Sequence, residues 1–259
     1  MRALESIALS TLATHVQTIH YEASELIDPS TGDSAYFQSC IYTREEYSKD
    51  RIEFNWESKS CDMSYKSIHK HFSSTLEEQN VILHERHDIE VLCRSIKLFS
   101  NLKSVLLSFD GSRKLGQLWF TSRAYMSWED SFPLHLEAIL RSMSAARNEG
   151  VHITTLQVSG FYAHLSHLDK ELLDLAESAL VEVSTLKLVD SVSLLRFFRR
   201  VKLDQIKSLY VQNCYFVGHD LIDFICNSAP ALRRLILEGT PVYRSSLKAL
   251  PSSLDLMFV

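Results

Sequence analysis

The chain has 259 residues, 46% apolar and 23% charged, the balance of a folded domain and unlike that of a disordered tail, a collagen-like fibre or a disulfide-stapled miniprotein. Its formal charge of −5 is uneven: residues 1–100 carry 10 basic and 16 acidic side chains, and residues 101–259 carry 17 and 16. Neither stretch has the basic field that a nucleic-acid backbone demands, and no apolar run reaches the ~18 residues of a membrane span, so neither nucleic acid nor membrane is expected as a partner.

The predicted elements follow in chain order. Val16-x-x-Ile19-x-Tyr21 predicts an N-terminal strand, and residues 24–62, rich in Ser, Tyr, Asp and Glu, read as a long polar loop or irregular segment. Helices are expected around 63–83 and 88–99. Leu102-x-x-Val105-x-Leu107 predicts the next strand. Residues 110–132 read as an insertion leaving its end, concentrating Trp119, Phe120, Tyr125, Met126, Trp128 and Phe132. Over 137–147, Ile139, Leu140, Met143 and Ala146 fall on one helical face. Ile153-x-x-Leu156-x-Val158 is a strand, 169–180 a helix, and Val183-x-x-Leu186-x-Leu188 a strand. The basic run Arg196, Arg199, Arg200 and Lys202 reads as the solvated side of a helix. Ile206-x-x-Leu209-x-Val211 is a strand, 220–227 a helix stopped before Pro230, and Leu232-x-x-Leu235-x-Leu237 a strand. Residues 254–258 alternate as a terminal strand with no polar cap.

Five Leu-x-x-Leu-x-Leu motifs thus recur with helices between them, their starts 51, 30, 23 and 26 residues apart. The last three intervals sit at or near the 20–29 residues of leucine-rich repeats. Leucine is uneven as well: 37 in all, with four before Leu76. The expectation is an α/β fold, an irregular leucine-rich-repeat-like solenoid of parallel strands and crossover helices in which stacked units share one aliphatic core. Residues 1–100 would cap it and residues 101–259 would form it. Cys214, Ser191 and Thr240 follow the strands where such a repeat places a polar residue that hydrogen-bonds backbone groups.

Chemistry is harder to find. Cysteines 40, 61, 93, 214 and 226 include no Cys-x-x-Cys pair and read as free thiols of a reducing compartment, cytoplasm or nucleus. His69-x-His71, His84-x-x-His87 and His164-x-x-His167 have no recognised zinc spacing, so no metal is expected. Gly111-x-x-x-x-Gly116 lacks the Lys-Ser/Thr ending of a phosphate loop, and Ser159-Gly160 lacks the first glycine of a nucleophile elbow. No cofactor or catalytic residue is nominated.

A surface remains. Residues between the inward leucines face the other side of the sheet. They nominate Gln157, Lys187, Tyr210, Gln212, Arg234 and Glu238 as protein-binding positions, with Trp119, Phe120 and Trp128 of the insertion as aromatic anchors. The alternative is an auxiliary protein or enzyme of a metabolic pathway that binds a small molecule beside that insertion.

Leu98-Phe-Ser-Asn-Leu-Lys-Ser-Val-Leu-Leu-Ser108, Trp128-Glu-Asp-Ser-Phe-Pro133 and Leu156-Gln-Val-Ser-Gly-Phe161 resemble filamentous-fungal F-box proteins with an irregular leucine-rich region. The resemblance runs from about residue 4 to 259 and includes 12–21, which is similar to the stretch just after an F-box. It implies substrate recognition in a ubiquitin ligase of the Skp1–cullin type. An F-box usually opens with a Leu-Pro pair, whereas here that pair is Leu250-Pro251. No F-box is found, so docking on a Skp1-type adaptor is carried over to no residue. The implied role is a non-catalytic binding module for an unknown protein target.

Overall fold

The computed structural model describes residues 2–23, 26–53, 63–109, 124–163, 169–241 and 250–259. The chain is α/β. It contains a seven-stranded, wholly parallel sheet whose strands lie side by side in chain order. By internal contact it divides into two units: one of residues 1–24, 88–111 and 128–259, the other of residues 25–87 and 112–127. This division is discontinuous in sequence and cuts the chain elsewhere than between residues 100 and 101.

The first unit opens with α1 (Arg2–Ala8), a 3-10 turn (Thr11–His15) and β1 (Thr18–Glu22), and the chain returns to it with α5. In the second unit, α2 (Ser34–Tyr36) runs into a π-helical turn (Phe37–Ile41), followed by α3 (Arg44–Glu53) and α4 (Tyr65–Glu85). Arg86, left-handed at φ 51°, separates α4 from α5 (His87–Ile96). Then come β2 (Ser104–Ser108), α6 (Trp128–Asn148), β3 (Thr155–Ser159), α7 (Lys170–Ala179), β4 (Thr185–Val189) and α8 (Leu194–Phe198). The chain continues through β5 (Ser208–Gln212), α9 (Gly218–Asp223) with a π-helical turn (Phe224–Ser228), β6 (Arg234–Glu238) and β7 (Asp255–Phe258).

Two expectations need correction. The long loop expected over 24–62 holds regular structure across its described part, 26–53: a 3-10 turn (Pro29–Gly32), α2, its π-helical turn and α3. The local signals were caps rather than periodicity, since Asp33 Oδ1 accepts from the amides of Ala35 and Tyr36, and Thr43 and Glu46 cap each other reciprocally. The segment 110–132, expected as an insertion leaving a strand end, also closes in a helix rather than stopping short of one. Residues 128–132 are the first turn of α6, which continues past Pro133, and Phe132 is fully buried. Residues 110–123 lie outside the described residues.

Each strand begins two residues after its motif does. The leading aliphatic residues Leu102, Ile153, Val183, Ile206 and Leu232 are buried just ahead of the strands. Between them and the strand, one carbonyl accepts two successive amides of the next coil: Lys103 O from Thr154 and Thr155, Thr154 O from Ser184 and Thr185, Ser184 O from Lys207 and Ser208, and Lys207 O from Arg233 and Arg234. The register then aligns Val105, Leu156, Leu186, Leu209 and Leu235 in one buried row and Leu107, Val158, Leu188, Val211 and Leu237 in a second. At roughly 1.5–3 kcal/mol for each buried aliphatic side chain, these rows are the main stabilising feature of the sheet.

Where the chain leaves the strands the geometry repeats. Gly160, Asp190, Asn213 and Gly239, each the first residue after its strand, all have positive φ. Of these only glycine takes that conformation without cost, while Asn and Asp tolerate it better than other side chains. The next residue along carries the expected polar bridge. Ser191 Oγ donates to Val189 O and accepts from the Phe161 amide, and Thr240 Oγ1 accepts from the Cys214 amide. Cys214 Sγ donates to Gln212 O at 3.2 Å. Beside this row, Phe132 packs against Phe109, Phe161 and Phe197 with ring centroids 4.9–5.7 Å apart.

The second unit is centred on Phe37, whose ring meets Tyr42, Tyr65, His69 and Phe72. Gln79 of α4 holds both backbone groups of Ile27, accepting at 2.7 Å and donating at 2.9 Å.

Candidate functional site

Because alternate strand residues are buried beneath the sheet, the others form rows across its solvent face. The middle row reads His20, Leu106, Gln157, Lys187, Tyr210, Ile236 and Met257. Gln157, Lys187 and Tyr210 are therefore direct neighbours, each half-buried. Strand spacing puts successive backbones about 4.8 Å apart, so one ligand segment can span all three.

Tyr210, Gln212 and Glu238 are joined directly. The Tyr210 hydroxyl donates to Glu238 Oε2, and Gln212 Nε2 donates to Glu238 Oε1 at 3.0 Å. The Glu238 hydrogen bond pushes the Tyr210 phenol above its ordinary pKa, with burial and the carboxylate charge adding to it. The trio is thus an ordered polar patch whose phenol stays neutral. Lys187 and Gln157 make no hydrogen bond or ion pair among the described residues, which leaves an ammonium and an amide open beside it. Arg234 stands in the row nearest the strand starts, exposed, with its Nε 3.7 Å from Asp255 Oδ2. Of the nominated strand residues, five cluster and Arg234 is set apart from them.

The nominated Trp119 and Phe120 lie outside the described residues. Trp128 is the first residue of α6. Tyr125 belongs to the second unit, bridged to Ile27 in antiparallel fashion, and the Met126 amide donates to Leu26 O.

Three features escaped the sequence reading. Tyr21 and His135, 114 residues apart, bring the phenol oxygen and Nδ1 within 3.1 Å of each other; burial, and then Asp88, raise the Tyr21 pKa. Tyr162, Val192 and Tyr215 align as parallel bridges on consecutive coils, with the two tyrosines 61% and 59% exposed. Finally, Arg196, Arg199 and Arg200 of the basic run line a depression on the first unit. Only the last had a legible signal, three arginines within five residues.

Among the described residues no group of three or more His, Cys, Asp or Glu side chains converges as a metal site would require, and no helix is long and apolar enough to cross a membrane. Of the histidine pairs, His164 and His167 lie outside the described residues.

No protein-family model matches the sequence, and comparison with curated proteins returns no relative. Among solved structures, the chain is similar to the crystal structure of a TLR13–ssRNA13 complex at 10% identity and a TM-score of 0.29, over 67% of this chain and 28% of that one. The chain therefore spans little more than a quarter of that protein's length.

Proposed function

We propose that the first unit is a leucine-rich-repeat-like solenoid that works by equilibrium binding of a protein on the solvent face of its strands, as the recognition region of an F-box protein does, without catalysing a reaction. The observation that carries this reading is the patch on β3–β6: an open ammonium (Lys187) and amide (Gln157) beside a phenol, amide and carboxylate held in fixed geometry. A pre-ordered polar patch loses little side-chain entropy on binding, and offset donors and acceptors discriminate among partners. An intracellular location and a target within a ubiquitin-ligase pathway belong to the same proposal.

Affinity capture with the immobilised protein, followed by mass spectrometry, tests it. The expected result is a reproducible protein partner whose recovery falls at least about tenfold with Lys187→Glu/Tyr210→Ala, equivalent to ~1.4 kcal/mol of binding energy, while the variant unfolds at the wild-type temperature. A partner captured equally by the variant overturns the assignment of the face. Capture of no protein overturns the function, and capture of a Skp1-type adaptor alone overturns the reading that the chain lacks an adaptor-docking element.

A further inference from the structure

A depression of about 420 Å³ on the first unit is lined by Arg196, Arg199, Arg200, Asp223 and Asn227. It lies beside α8 and the turn after α9, on elements that pack against the buried side of the sheet, so it is separate from the strand face argued above. Its frame is firm. Phe197 and Phe198 of α8 are completely buried, Ser228 Oγ donates to Arg199 O at 2.6 Å, and the Leu203 amide donates to Ser228 O at 2.7 Å. These bonds hold the end of α8 against the π-helical turn that carries Asn227.

The charges in the depression are unequally committed. Arg199 Nη1 lies 3.0 Å from Asp220 Oδ1 and 2.8 Å from Asp223 Oδ2, so the two carboxylates are engaged by one guanidinium. Asp220 also lies 3.3 Å from His219 Nε2, and Lys202 pairs with Asp204 at 3.5 Å. Arg196 on α8 and Arg200 in the turn after it, both exposed, have no carboxylate partner among the described residues. Two uncommitted guanidinium forks and the Asn227 amide therefore surround a concave space.

We propose that this depression is an oxyanion site for a phosphoryl monoester, held between Arg196 and Arg200 with the Asn227 amide donating from a third side. A phosphoryl monoester carries −1.5 to −2 charges and three acceptor oxygens, which match two guanidinium forks. A carboxylate or a phosphodiester offers two unesterified acceptor oxygens, one too few for both forks and the Asn227 amide. The source of the group is either a phosphorylated side chain of a protein or a free phosphorylated small molecule.

Calorimetric titration of the intact protein with inorganic phosphate, acetate, blocked phosphoserine and a phosphoserine-centred heptapeptide tests the site. Phosphate binds saturably and more tightly than acetate. Arg196→Gln/Arg200→Gln weakens it about tenfold or more, the loss expected for two charge-assisted contacts. Lys202→Gln leaves it unchanged. Arg196→Lys/Arg200→Lys, which keeps the charges and loses the forks, falls between, and guards against a general effect of the glutamine pair on folding. Arg199 is left alone because its removal strands Asp220, whose side chain is only 6% exposed. A peptide that binds at least tenfold tighter than blocked phosphoserine identifies a protein source; equal affinities identify a small phosphorylated compound. No saturable phosphate binding, acetate binding as tight as phosphate, or unchanged binding in the glutamine pair overturns the proposal. None of these results bears on capture through the strand face.

Discussion

At the scale of single residues, Cys214 shows how one side chain serves a repeat. Its thiol is buried, donates to Gln212 O, and sits in the row of polar bridges with Ser191 and Thr240. Burial is the main reason its pKa is pushed up from the ordinary thiol range to about 11. The native state thus keeps a proton that the unfolded chain gives up above pH 9. Since the unfolded form binds fewer protons in that range, stability falls as pH rises from about 9 to 11 and is unaffected below. Urea unfolding of wild type and Cys214→Ser across pH 7–11 checks this. The serine variant, which keeps a hydroxyl donor and does not titrate there, lacks at most about 2.7 kcal/mol of the wild-type decline. Parallel curves for the two proteins would remove the argument. The same cysteine was legible as a polar bridge from its place after the motif, but its partners were not. The residue it bonds is two positions back, whereas those holding its own amide and raising its pKa belong to other coils.

At the scale of elements, the turns after β3–β6 share one backbone conformation and fill it with different residues: Gly160, Asp190, Asn213 and Gly239. The choice of glycine at 239 has a local cause. A Cβ there would stand 2.3 Å from Asn213 Oδ1, the side chain that reaches back from its own turn to donate to Asp190. Gly239→Ala therefore suffers both the left-handed penalty and a clash, and is expected to lose about 2–3 kcal/mol. Gly150→Ala, with φ +80° but open space around the new methyl, is expected to lose only about 1 kcal/mol. Chemical denaturation of the two variants compares them directly, and equal losses would show that the clash relaxes freely. Element boundaries explain where the sequence reading fell short. Aliphatic spacing marks what is buried, so each motif opens two residues ahead of its strand, at the buried residue under the turn. The helices of 29–53 carry too few leucines to show a period and are held by caps and an aromatic centre, a pattern that composition reads as polar.

At the scale of the whole molecule, a parallel sheet built in chain order makes every inner strand depend on two neighbours and each outer strand on one. β5 is paired on both sides, with Leu209 and Val211 fully buried. β7 is paired to β6 and exposes Met257 and Phe258 at 43% and 62%. An outer strand has fewer ladder bonds and less buried surface to lose than an inner one, so local opening is easier there. Hydrogen exchange on the intact chain is expected to show β7 amides exchanging at least about tenfold faster than those of β4 and β5, the factor that ~1.4 kcal/mol of local stability gives. Uniform protection across the sheet would mean that it opens only as one cooperative body.

What the amino-acid order determined by itself was the repeated unit: five aliphatic motifs, the strands they announce, the helices between most of them, and the solvent-facing positions Gln157, Lys187, Tyr210, Gln212, Arg234 and Glu238. Periodicity carries that much because burial of one face is a local requirement on spacing. Tertiary structure alone decided which of those positions meet. It joined Tyr210, Gln212 and Glu238, placed Arg234 apart, and committed Arg199 to two aspartates while leaving Arg196 and Arg200 open. Those outcomes depend on the register between coils and on which carboxylate reaches which guanidinium, distances that no spacing along a single chain contains.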